Sequence, residues 1–265
     1  MIENMKRKFL LVPLFVGMLL FTSCDKVKNA FSETFGNEEN RQKELSDAFN
    51  SPGSLSGSSG KQREKTLEEA LKEFRAIVDE SGSEFDKKQM EAVEQMVKKD
   101  MEKWNNTEIS LLFQPDKLER IQKGLYQFLK TDEVMLFTGP IFVEDDRVRV
   151  IAINPQNKSE ADWYWYETKT GKWRKEDPKK LSKSDMENID KKIYPFSSIK
   201  LRTAHKVYTE GLKRLADIEG AELPSGTTFY YFPHKQSWSM SLSGARADYS
   251  LEADIDGNVI KFEMR

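Results

Sequence analysis

The residue types best suited to covalent or ligating chemistry are scarce in this chain. Cys24 is the sole cysteine, and His205 and His234 are the only histidines. A nucleophilic Ser or Cys needs a base beside it, and a structural zinc site needs several Cys or His side chains. One cysteine also excludes an internal disulfide framework. His205 follows Ala204 on a predicted helix and His234 falls in a predicted turn, so both read as satisfied or solvated side chains. No HExxH, GxSxG, P-loop or dinucleotide-binding glycine pattern is present.

Acids are abundant but not arranged as a recognisable centre. Glu144-Asp145-Asp146 and Asp254-x-Asp256 read as solvated acidic turns that do not supply the six to eight oxygens of a calcium site. No metal and no cofactor is therefore expected. A pair of carboxylates for glycoside cleavage is defined by spacing in space, which the sequence does not show, so a hydrolase with an acidic site stays open.

The most unusual cluster is Trp163-Tyr164-Trp165-Tyr166, with Trp173 close behind. Strand alternation sends Trp163 and Trp165 to one face and Tyr164 and Tyr166 to the other, so both faces are aromatic. One face can pack under a helix. The other must meet a second module, a protein partner, or a ligand such as a sugar or peptide. Tyr230 and Phe232 could join the same junction.

The sole cysteine has a context of its own. Lys6, Arg7 and Lys8 form a basic start, Phe9 to Phe21 is apolar, and Thr22-Ser23-Cys24 follows. This is the tripartite layout of a secretory signal. Thirteen residues of helix reach only ~20 Å, short of a ~30 Å hydrocarbon core, and Pro13 weakens a permanent span further. Leu19-Leu20-Phe21-Thr22-Ser23-Cys24 resembles the end of a bacterial lipoprotein signal peptide. The likeness covers about the first 24 residues. It departs at Phe21, where that family prefers Leu.

The resemblance implies cleavage before Cys24, a diacylglyceryl group on its sulfur, and frequent acylation of the new amine. At ~0.8 kcal/mol per buried CH₂, two or three acyl chains hold a protein firmly on a membrane. Removing residues 1–23 leaves 39 basic and 43 acidic residues, a net charge of -4. That balance gives no case for nucleic acid or for adhesion to anionic lipid by charge alone.

Residues 24–65 are polar, with a Ser/Gly-rich run from Asn50 to Gly60, and read as a flexible tether. Val27, Ala30, Phe31 and Phe35 could instead make one short amphipathic helix there. A helical hairpin over 66–104 follows. Thr66 caps a helix with Leu67, Ala70, Leu71, Phe74, Ile77 and Val78 on one stripe; after Ser81-Gly82, Ser83 caps a second helix with Met90, Val93, Met96, Val97, Met101 and Trp104 on one face. The Met-rich stripe reads as core.

The remainder reads as two units, 105–180 and 181–265. In the second, Leu201, Ala204, Tyr208, Leu212 and Leu215 mark a helix over about 198–218, followed by four alternating strands. A turn at His234-Lys235 pairs Tyr231 with Trp238 and Phe229 with Met240. A turn at Gly244-Ala245 pairs Met240 with Tyr249 and Trp238 with Leu251. A turn at Asp256-Gly257 pairs Ala253 with Ile260, Leu251 with Phe262 and Tyr249 with Met264.

The first unit is a weaker copy. Pro115 opens a helix over 115–130, and strands follow at 134–143, 147–154, 163–168 and 172–175. Thr170-Gly171 lies 86 residues before Asp256-Gly257, and the same offset carries helix 115–130 onto 201–216.

The expected fold class is therefore α+β: an N-terminal helical pair followed by two helix-plus-four-stranded antiparallel meander units. This layout, together with Ala253-Asp254-Ile255-Asp256-Gly257-Asn258-Val259-Ile260, resembles the tandem modules of PepSY-like and beta-lactamase-inhibitor-like envelope proteins. That resemblance implies protein binding or inhibition, and it transfers no catalytic residue. The expectation for function is a non-enzymatic, lipid-anchored envelope protein that binds a protein or other macromolecular partner. A carbohydrate or peptide binder using Trp163, Trp165 and Trp173, with Tyr164 and Tyr166, is the alternative.

Overall fold

The computed structural model describes residues 65–232 and 235–265. The signal segment, Cys24, the tether up to residue 64 and His234 lie outside them. Two helices come first, α1 (Leu67–Glu80) and α2 (Lys87–Trp104). Thr66 and Glu69 form a capping box on α1, with acids at the positive end of the helix dipole. The cap of α2 is Asp86, paired with Gln89, where the spacing suggested Ser83. An anionic cap with a glutamine three residues on satisfies two orphan amides, and it leaves Ser83 free to bond elsewhere. Arg75 holds Glu94 through two hydrogen bonds of 2.6 and 2.7 Å, tying the two helices together.

A buried one-turn segment, Leu111–Phe113, leads into α3 (Pro115–Leu129). Pro115 suits the first turn, where its missing N–H costs nothing, and Lys130 ends the helix in the left-handed conformation. The strands of the first half are β1 (Met135–Phe137), β2 (Gly139–Glu144), β3 (Arg147–Asn154), β4 (Asn157–Glu167) and β5 (Lys172–Lys179). A connecting stretch follows with α4 (Lys183–Glu187) and β6 (Ile193–Pro195). The second half is α5 (Thr203–Leu215), β7 (Gly226–Phe232), β8 (Lys235–Ser243), β9 (Asp248–Ala253) and β10 (Val259–Met264).

The ten strands of the described residues belong to one sheet, and every pairing is antiparallel. β2 to β5 run as one meander and β7 to β10 as another. They meet edge to edge where β2 pairs with β7, from Gly139 opposite Tyr231 to Glu144 opposite Gly226. The single strand expected over 134–143 is broken at Gly139, whose φ of 149° lies in a region that side chains avoid. β1 still pairs with β3, Leu136 opposite Ala152, and also takes the short strand β6.

Side chains of α1, α2, α3 and α5 merge with one face of this sheet in a single core that includes Phe74, Val97, Leu118, Leu125, Tyr208, Leu212, Val143, Val150, Phe229, Trp238 and Leu251. Each fully buried large apolar side chain contributes about 1.5–3 kcal/mol through removal from water. Phe113 sits at the junction, edge-on to Phe74 at 4.8 Å and to Tyr208 at 5.2 Å. The helix pair and both meanders belong to one compact unit. A smaller cluster lies on the other face, where Leu181, Ile189 and Ile193 of the connecting stretch cover Phe137, Ile151, Ile153 and Ala161.

The expected faces of β7 to β10 hold except at Ile260; the register differs in the first two hairpins and, in the third, only at its turn end. Phe229 pairs with Trp238 and Tyr231 with Gln236, two residues from the expected pairing. Met240 pairs with Leu251 and Trp238 with Ala253, again a shift of two, because Gly244 to Ala247 form a four-residue loop closed by Gly244 N–H to Ala247 O at 3.0 Å. A shift of two keeps every side chain on its face, which is why the alternation alone does not detect it. In the last hairpin Leu251–Phe262 and Tyr249–Met264 pair as expected, while Val259 takes the place opposite Ala253 and Ile260 forms a bulge.

Candidate functional site

Strand alternation divides the aromatic cluster. Tyr164, Tyr166 and Trp173 point under α3. Tyr164 and Trp173 are buried, Tyr164 meets the Phe128 ring edge-on at 6.1 Å, and Tyr166 meets Trp173 at 5.8 Å. The Trp173 indole N–H donates to the Ile121 carbonyl at 2.9 Å. Burial pushes the phenols of Tyr164 and Tyr166 upward. Packing occupies these three side chains, so of the five aromatic candidates only Trp163 and Trp165 reach the opposite face. Trp163 leans on the small cluster under Leu181 and Ile189, and Trp165 lies further out, half-buried. Tyr230 and Phe232 stack on each other at 6.1 Å on the same side of the sheet.

Three arginines interleave with these rings. Phe142 lies opposite Arg149, Arg149 opposite Trp165, and Trp165 opposite Arg174, so four strands place one residue each in a lateral row. The Arg149 guanidinium carbon sits 4.6 Å from the Trp163 ring centre and 4.9 Å from both Trp165 and Phe142. Arg174 and Arg147 approach Trp165 at 5.3 and 5.5 Å. Each such contact contributes about 0.5–2 kcal/mol, more as water is excluded.

The three cations differ in their anionic partners. Arg147 pairs with Glu144 and Asp146 at 2.7 and 3.0 Å, and Arg174 with Glu167 and Glu176, both at 3.0 Å. Arg149 has no carboxylate partner among the described residues, and its buried Nε has no acceptor. A guanidinium held between rings keeps its charge and its planar fork of donors, the geometry that grips a carboxylate, phosphate or sulfate. Each arginine is an ordinary residue in the sequence. The signal that marks the row is its alternation with the tryptophans across strands, and that depends on register.

A second feature escaped the sequence reading. A groove of about 800 Å³ lies beside Met101, Trp104, Ser110, Lys117 and Asp145. Asp145, expected in a solvated turn, is largely enclosed, and its carboxyl is pushed up to about 7. Burial is the main cause, the charges of Asp100, Asp146 and Glu144 add to it, and a hydrogen bond with Ser110 opposes it. The other acidic turn behaves as expected: the Asp254 carboxylate accepts the backbone N–H groups of Asp256 and Asn258 at 3.0 and 2.8 Å.

His205 is buried, with Nδ1 2.8 Å from the Leu112 carbonyl and Nε2 3.1 Å from the Ser83 hydroxyl. Burial lowers its pKa. Among the described residues no group of three or more His, Cys, Asp or Glu is placed to hold a metal ion, and no helix is long and apolar enough to cross a membrane.

No family model and no curated protein matches this chain. Among solved structures, a Clostridium difficile protein described as a candidate lipoprotein is 13% identical. The match covers 60% of this chain and 100% of that one, with a TM-score of 0.41, a likeness too distant to bear on function.

Proposed function

We propose that this chain is a lipid-anchored protein of the bacterial envelope that binds an acidic macromolecular partner through the open face of its sheet. Cys24 supplies the anchor, and residues 24–65 hold the folded body away from the bilayer. The body is two copies of one helix-plus-meander unit, in the manner of the PepSY-like modules. The 86-residue offset supports this, since it carries the buried Leu118, Ile121 and Leu125 onto Ala204, Val207 and Gly211, which are buried in turn.

The observation that carries the binding reading is Arg149, a cation without a carboxylate partner among the described residues and caged by Phe142, Trp163 and Trp165. The role is binding rather than turnover, and the partner class follows from the cage. Guanidinium groups already cover the ring faces of Trp165 on which a neutral sugar would stack, so a carboxylate-rich protein segment or an acidic glycan suits the row better.

Photo-crosslinking in living cells tests this. A photoreactive residue at Phe142 should capture an acidic envelope component, and Arg149→Gln should abolish the capture. An unchanged adduct with Arg149→Gln would count against the reading.

A further inference from the structure

Among the described residues β10 is one end of the sheet and pairs with β9 alone. The Arg265 N–H donates to the Asp248 carbonyl at 2.9 Å. Alternation then turns the backbone groups of Glu263 and Lys261 toward β9, and those of Phe262 and Met264 toward the free edge. The side chains there are unusually apolar for an edge: Ile260 is 61% exposed, Phe262 37% and Met264 63%. Sheet edges of this kind are normally blunted by charge, and the lysine at 261 is offset by the acid at 263.

The run Ile260-Lys261-Phe262-Glu263-Met264 is complementary to itself when read backwards. An antiparallel copy centred on Phe262 puts Lys261 opposite Glu263 twice, Phe262 opposite Phe262, and Ile260 opposite Met264. Moving the centre to Lys261 or Glu263 sets like charges face to face, and a one-residue slip sets apolar against charged. The favoured register also continues the rows of the sheet. Glu252 lies opposite Lys261 within the chain, so the polar face would read Glu252, Lys261, Glu263, Ser250 across the junction. The opposite face would extend Leu251 and Phe262 to the same pair in the second molecule.

We propose that β10 pairs with β10 of a second copy about a two-fold axis at Phe262, joining two sheets into one. The contact is isologous, so it closes at a dimer and does not propagate. It is small, and confinement of anchored molecules to one membrane raises the effective concentration that makes it form.

The test uses full-length protein in its native membrane. Paired Phe262 residues, with outward backbone groups, stand about 5.5 Å apart at Cα, a distance a disulfide spans. Phe262→Cys should therefore give a covalent dimer of twice the chain mass on mild oxidation. The parent chain and Ser241→Cys should give none. Lys261→Glu or Glu263→Lys in the Phe262→Cys background should each lower the yield roughly fivefold. The double exchange K261E/E263K should restore it.

Circular dichroism of each variant checks folding, which a partly exposed edge residue should not disturb. Equal crosslinking at Ser241, a yield indifferent to the charges, no restoration in the double exchange, or a crosslink to a different protein would each overturn the proposal.

Discussion

The indole N–H of Trp173 donates to the carbonyl oxygen of Ile121 across 2.9 Å, and this one bond fastens β5 to the underside of α3. The fit is close: a methyl group on Gly124 would already touch the Trp173 ring at 3.5 Å. Trp173→Phe should cost about 1 kcal/mol of stability through the lost bond, and Trp173→Ala about 3–5 kcal/mol through the cavity left behind. Urea unfolding measures both. Trp173 lies on the face away from Arg149, so Trp173→Phe should leave partner capture unchanged.

Gln122 joins the two halves of the molecule. Its amide nitrogen donates to the carbonyls of Phe196 and Ile199 at 3.0 and 2.6 Å, and its amide oxygen accepts the Leu201 N–H at 2.9 Å. Gln122→Ala should destabilise by roughly 2–4 kcal/mol, because three backbone groups lose their partner at once. Gln122→Glu should also destabilise, since a carboxylate has no donor for the two carbonyls. Hydrogen exchange at the Leu201 amide should accelerate in Gln122→Ala, whereas Gln122→Glu keeps an acceptor for that amide.

Asp145 gives stability a pH dependence with a definite sign. The folded carboxyl holds its proton up to about 7, whereas an unfolded aspartate releases it near ~3.9. The folded state therefore binds more protons between these values. Stability is highest below the lower one, falls as pH rises through the window, and levels off above pH 7. Asp145→Asn should remove that slope and raise stability at pH 8 by roughly 2–4 kcal/mol, allowing for partial solvent access. Urea midpoints at pH 5, 6, 7 and 8 decide the matter.

The anchor is tested by mass. Purified from its native membrane, the protein should begin at Cys24 and carry a diacylglyceryl thioether, with acyl mass also on the new amine. Cys24→Ala should leave residues 1–23 attached and yield no acylated form. A bare thiol at Cys24 in the native product would remove the envelope reading.

The sequence made some relationships legible and hid others, for identifiable reasons. Alternation assigned Phe229, Trp238, Met240 and Leu251 to one buried face, because burial fixes parity strongly. It missed the pairing partners, because loop length at 244–247 moves register by two without changing any face. The division of Trp163 and Trp165 from Tyr164 and Tyr166 was likewise readable, whereas the arginines between the rings come from two strands, β3 and β5, aligned with the tryptophans only in space. Asp145 looked like its neighbours because Ser110 and Asp100, which set its environment, lie far off in the chain. The joint at β2 and β7 and the Gln122 staple link segments some 74–92 residues apart and left no local mark.

Binding by the Arg149 row is most directly tested by tryptophan fluorescence of the purified full-length protein in detergent, titrated with poly-L-glutamate at low salt. A saturable shift from Trp163 and Trp165 is expected, weakening as salt is raised. Arg149→Gln should lose the shift, Arg149→Lys should retain it in part, and neutral dextran should produce none. A shift of full size in Arg149→Gln, or an equal response to neutral dextran, would contradict it.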